Sequence, residues 1–148
     1  MDVMRRSLLA LLVLGLSGIG VELVLFKHYE DALQVIPLAL IAMTFVTVGW
    51  HLADGRAAPL RTLQVIMGLI VMAGMVGLIT HYRGNIEFQL EVDPTLHGWP
   101  LFVKAIHAKA PPALAPGSMS QLGLLGLLYT YRHPALASRR GAVTTTGD

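Results

Sequence analysis

The chain has no cysteine, which excludes disulfide frameworks, thiolate metal sites and cysteine nucleophiles. It is also poor in charge: 11 basic and 9 acidic side chains in 148 residues, 14% in all, against about a quarter in an ordinary soluble domain. The common catalytic signatures are missing as well. There is no phosphate-binding Walker loop, no glycine-rich dinucleotide turn, no His-Glu-x-x-His and no Gly-x-Ser-x-Gly, so no enzymatic activity and no cofactor is assigned. No basic run exceeds two residues (Arg5-Arg6 and Arg139-Arg140) and the net charge is only +2. That argues against a nucleic-acid partner.

What the chain does have is apolar length, and the scarce charges are unevenly spread. Residues 7–26 carry one charge, Glu22, while 32–53, 62–82 and 110–131 carry none. A hydrocarbon core of roughly 30 Å needs about 20 helical residues. Three tracts meet that length, at 7–26, 32–52 and 62–82, and a weaker one lies at 118–137, strictly apolar only over 122–128. In lipid an isolated strand leaves backbone groups unpaired, so the spans are helices. The expected fold is all-α: a single membrane domain forming a four-transmembrane-helix antiparallel bundle, with a tilted or re-entrant fourth segment as the alternative. Span one could instead be a cleaved signal peptide, but its apolar run continues through Phe26 without a convincing small-residue cleavage site.

Lysine and arginine in short loops set orientation. With the N-terminus inside, the inner segments hold Arg5, Arg6, Arg56, Arg61, Arg132, Arg139 and Arg140. The outer ones hold Lys27, Arg83, Lys104 and Lys109, diluted by acids. Both termini are expected in the cytoplasm, and the expected location is a bacterial inner membrane. The short link 27–31 makes spans one and two neighbours, and 53–61, with Asp54-Gly55 as a stop and Pro59 as a start, does the same for spans two and three. The outer segment 83–117 opens with Arg83-Gly84-Asn85, a turn signal. Ile86, Phe88, Leu90 and Val92 then alternate with polar residues, which predicts an extended stretch. Trp99, Leu101, Phe102, Ala105 and Ile106 fall at helical spacing, an amphipathic helix for the membrane surface. Residues 110–117 read as a stiff connector, Ser118 as a helix N-cap, and 138–148 as a disordered tail.

Glu22 is the one formal charge inside a span, and such a carboxylate is expensive unless neutral, paired or hydrated. It serves either as hydrogen-bonding glue between helices, as a ligand, proton or ion site, or as a group reaching for the nearby interface. His28, Gln34, His81 and Gln121 lie at similar depth, so the bundle could gather Glu22, His28, Gln34, His81 and Gln121 into one polar patch. His28, His81 and His51 are weak candidates for metal or haem ligation, because their spacing matches no known signature. His51, His133, Tyr129 and Tyr131 cluster near the opposite end. Trp50, Trp99, Tyr129 and Tyr131 read as interface anchors. Pro37, in the second turn of span two, is tolerated near a helix start or opens a kink there. Gly15 and Gly18, Ala73 and Gly77, and Gly123 and Gly126 offer small faces for close helix packing.

The expected partners are the lipid bilayer and a membrane protein or a second copy of the chain. The leading functional expectation is a structural or accessory subunit docked on a larger membrane complex. A small oligomeric carrier, channel or sensor using Glu22 is the alternative, and a haem- or metal-binding redox protein is the third.

Overall fold

The computed structural model describes residues 3–108 and 114–137. The described residues are helical, with no strand among them: α1 (Val3–Leu25), α2 (Ala32–Asp54), α3 (Ala57–Val92), α4 (Gly98–Ile106), α5 (Ala115–Thr130) and α6 (Pro134–Ala137). Helices α1, α2 and α3 are long and apolar enough to cross a membrane, with mean hydropathies of 2.4, 2.0 and 2.2 over their most apolar stretches. Only 22–28% of those stretches is buried within the chain. Leucine, valine and methionine such as Leu14, Val46, Val65 and Met72 point outward along their whole length. In water that surface would be untenable. Surrounded by hydrocarbon it is not, and the chain is an integral membrane protein.

The packed interior is narrow. Leu12 and Leu16 of α1, Leu60, Leu63, Met67 and Ile70 of α3, and Tyr129 of α5 are wholly buried, with Leu40, Ile41 and Val48 contributed by α2. Helix α5 sits between α1 and α3 and takes most of the packing of both, while α1 and α2 meet only thinly. The contacts step backward along α5 as they step forward along its neighbours. Gly15 meets Leu122, and Leu12 meets Gly126; Met67 and Val71 meet Gly123, while Gly74 and Gly77 meet Pro116. Where two helices touch at glycine the backbones approach closely, and dispersion contacts accumulate in place of the hydrophobic effect, which lipid does not supply.

Helix ends follow local chemistry. Gly55 adopts the left-handed conformation (φ 61°) that closes α2, its N–H bonding the His51 carbonyl at 3.0 Å. The link to α3 is then only Gly55 and Arg56, the latter paired with Asp54 at 3.0 Å. Between α1 and α2 the chain reverses through Lys27, also left-handed (φ 52°). Pro37 lies inside α2, which continues unbroken past it.

Several expectations are corrected. Arg83-Gly84-Asn85 is not a turn and 86–92 is not extended; both belong to α3, a single helix of 36 residues. At 1.5 Å per residue it is about 54 Å long, so its last turns project beyond any bilayer core. The buried stripe of that projection is Tyr82, Asn85, Ile86, Gln89, Leu90 and Asp93, all half-buried. It is a helical series (i, i+3, i+4, i+7) masked by its polar members. Ser118 is not an N-cap, because α5 starts at Ala115 with Pro116 in its first turn, a position where proline's missing N–H is no loss. Nor does the fourth apolar tract run to Ala137: α5 ends at Thr130, and a turn through Tyr131–His133 leads into α6. Part of the 110–117 connector and the whole 138–148 tail lie outside the described residues.

Candidate functional site

Two polar sites lie at opposite ends of the helices. At the end carrying the α1–α2 turn and the start of α5, a cavity of about 430 Å³ opens between α1, α2, α3 and α5. Glu22 and His28 reach it from α1 and the turn, and His81 from α3. Its other walls are mostly apolar, including Ile19, Phe26 and Met119. The His28 and His81 rings are nearly parallel, 15° apart, with centroids separated by 6.1 Å. Gly74 and Gly77 carry no side chain to fill the space, and their backbones lie against Pro116, so the cavity is bounded by a close helix contact. Among the described residues Glu22 has neither an ion pair nor a side-chain hydrogen bond, and no three carboxylate or imidazole groups stand close enough to hold one metal ion.

Of the five residues expected in the polar patch, the fold thus gathers Glu22, His28 and His81 and leaves out two. Gln34 turns back to its own helix start, where its side-chain oxygen accepts from the Glu30 N–H at 3.1 Å. Gln121 is exposed and does not line the cavity. Its neighbour Ser120 points inward instead, donating to the Val71 carbonyl at 3.3 Å beside Gly74. Phe26 and Met119 are cavity-wall residues, which no spacing argument identifies; Pro37 lines the wall as well, from within α2.

At the other end His51 of α2, Tyr129 of α5 and His133 of the following turn form a buried cluster. The His51 Nε2 and the Tyr129 hydroxyl are hydrogen-bonded at 2.9 Å. The His51 and His133 rings meet edge to face with centroids 5.3 Å apart. His133 Nδ1 accepts from the Ala135 N–H at 3.2 Å, so a neutral His133 carries its proton on Nε2. That nitrogen and His51 Nδ1 are both buried without a partner among the described residues. Burial holds the His133 imidazole below the usual histidine range, and the nearby His51 and Arg5 add to the effect. Arg5, in the first turn of α1, clamps the end of α5. Its guanidinium donates to the carbonyls of Tyr129 at 2.8 Å, Tyr131 at 3.3 Å and Arg132 at 3.1 Å. The Tyr129 carbonyl is one of the last four of α5, which a helix end leaves without intrahelical partners, and the other two belong to the turn beyond it.

The anchors and packing residues divide similarly. Trp50, Trp99 and Tyr131 are exposed, whereas Tyr129, expected at an interface, is fully buried and belongs to the cluster. A Cβ on Gly15 would collide with Leu122 of α5, on Gly123 or Gly126 with atoms of α3, and on Gly77 it would press on Pro116. Ala73 lies along the same wall. Gly18, by contrast, faces open space. Gly74 is as tightly packed as any of them, a contact its spacing with Gly77 could have signalled.

Family models, curated proteins and solved structures offer no match to this chain.

Proposed function

We propose that this is a small four-span membrane protein that binds a solute in the Glu22–His28–His81 cavity, as a carrier or sensor. The observation that carries the reading is the meeting of the only intramembrane carboxylate with two imidazoles in an otherwise apolar cavity of about 430 Å³. A volume of that order is typical of small-molecule sites, which pair apolar walls with a few polar groups. The small faces at Gly15, Gly77, Gly123 and Gly126 are consumed by packing within the chain around α5, which weakens the case for docking as the main role.

The fourth span is α5. Its 16 residues reach only about 24 Å, short of a full hydrocarbon core, but α5 is wedged between α1 and α3. A short helix shielded by protein is accommodated by local thinning and flanking residues. With four spans in an antiparallel bundle and arginine-rich ends, both termini face the cytoplasm of a bacterial inner membrane and the cavity opens toward the exterior.

The test is ligand-dependent thermal stability of the purified protein in detergent, screened over small solutes. A bound solute at a hundred times its Kd stabilises by about 2.7 kcal/mol. That gain should vanish in Ala73→Phe, which fills the cavity. If no solute stabilises the wild type, or Ala73→Phe retains the full gain, the reading fails. A second reading, the accessory subunit, is favoured by one observation: Gly18 leaves an unfilled notch on the outward face of α1. Stoichiometric co-purification of another membrane protein, lost in Gly18→Leu, would support it.

A further inference from the structure

Resting on the binding reading above, we infer that the cavity takes an amphiphilic organic cation: a protonated or quaternary amine carrying an apolar body. Charge complementarity argues for the cationic head. Glu22 lines the cavity with no counter-ion among the described residues, and a carboxylate in that setting gains most from a partner of opposite sign. The ring nitrogens of His28 and His81, which also line the cavity, are groups that can orient a ligand N–H. Phe26 also lines the cavity, and an aromatic ring there is a group on which a ligand cation can rest.

The walls argue for the apolar body. Ile19, Leu23, Leu114 and Met119 present hydrocarbon, and the volume of about 430 Å³ far exceeds a bare ion. A small inorganic cation would leave most of that space without contacts, and the available ligands are too dispersed for a metal shell. An anion would meet the unneutralised Glu22. The start of α5 at Ala115 and Pro116 also borders the cavity, and its partial positive charge of roughly half a unit tempers the field of the carboxylate without reversing it.

The test uses two probes of matched shape and opposite charge, tetraphenylphosphonium and tetraphenylborate. Binding to the full-length protein in detergent is followed by equilibrium dialysis, with empty micelles as the blank. Tetraphenylphosphonium should bind at one equivalent per chain, at least tenfold more tightly than tetraphenylborate. Glu22→Gln should weaken it at least tenfold, and Glu22→Asp should retain part of the affinity. Size-exclusion profiles and melting temperatures of both variants show whether they are folded. Should Glu22→Gln misfold, the preference of the wild type for one probe over the other decides alone. Equal binding of both probes, preference for the borate, or indifference to Glu22→Gln in a folded variant would overturn the cation while leaving a binding cavity. Retention of a co-purified phospholipid that tetraphenylphosphonium does not displace would overturn it too. If neither probe binds and no solute in the stability screen does, the binding reading falls with it.

Discussion

Gly123 and Gly18 have the same side chain and opposite structural weight. A Cβ at Gly123 would stand 2.9 Å from the Met67 carbonyl and 3.0 Å from the Val71 nitrogen, both backbone atoms that cannot yield. Gly123→Ala should therefore destabilise by about 1–3 kcal/mol, as overpacking does. Gly126→Ala should cost less, since its obstacle is the flexible Met67 side chain. Gly18→Ala, facing open space, should be neutral or gain up to about 1 kcal/mol from helix propensity. Melting temperatures of the three variants in one detergent check the ranking. At the other end of α5, Tyr129→Phe strips a buried His51 nitrogen of its bond, with an expected loss of about 1–3 kcal/mol. Glycine spacing made the small faces legible in the sequence. Which glycine touches backbone, side chain or nothing depends on the helix opposite, and no local pattern records it.

At the scale of elements, α3 is the instructive case. The alternation of Ile86, Phe88, Leu90 and Val92 is a genuine period of two, yet a lone strand without a pairing partner is not stable. Here no other strand exists among the described residues. Continuation of a helix already nucleated in the membrane satisfies each backbone group at no added nucleation cost. Packing against α4 then secures it: the Asn85 amide donates to the Ala105 carbonyl at 3.0 Å, and Tyr82 and Phe102 meet edge to face. Spin labels at Arg83→Cys and Val92→Cys, convenient in a chain without cysteine, should lie about 14 Å apart along a helix. An extended stretch would hold them about 30 Å apart. A separation near the larger value would refute the continuous helix. The same element logic explains α5, whose short apolar core looked marginal in isolation and is stabilised by the neighbours on both sides.

Across the whole molecule, the buried cluster at the terminal end ties stability to pH. His133 is held below its ordinary proton affinity by burial, next by His51 and Arg5, so the unfolded chain binds its proton more readily than the folded one. The sign follows: stability is complete above the unfolded histidine pKa of about 6.5 and declines as pH falls below it toward the folded value. The groups facing His133 are His51 from α2, Tyr129 from α5 and Arg5 from α1. Melting temperature in detergent should fall between pH 7.5 and pH 5, and the fall should be shallower in His133→Gln. An identical slope in the two proteins would remove His133 as the cause. Orientation is a whole-molecule property as well. Under the topology proposed above, cytoplasmic reporters on both termini should be active and periplasmic ones silent, since arginines favour the cytoplasmic side of a span; the opposite pattern would overturn that proposal.

Membrane residence, helical class and three long spans were determined by the sequence alone, because hydrocarbon length and charge density are local sums that every conformation of the chain inherits. Only tertiary structure decided that Glu22, His28 and His81 share a cavity while Gln34 and Gln121 stay outside. It also decided that Tyr129 is a core residue and that Arg5 closes the far end of α5. Those facts depend on which helix lies against which and at what rotation, and that is a balance of contacts between residues far apart in the sequence, up to the 127 positions between Arg5 and Arg132.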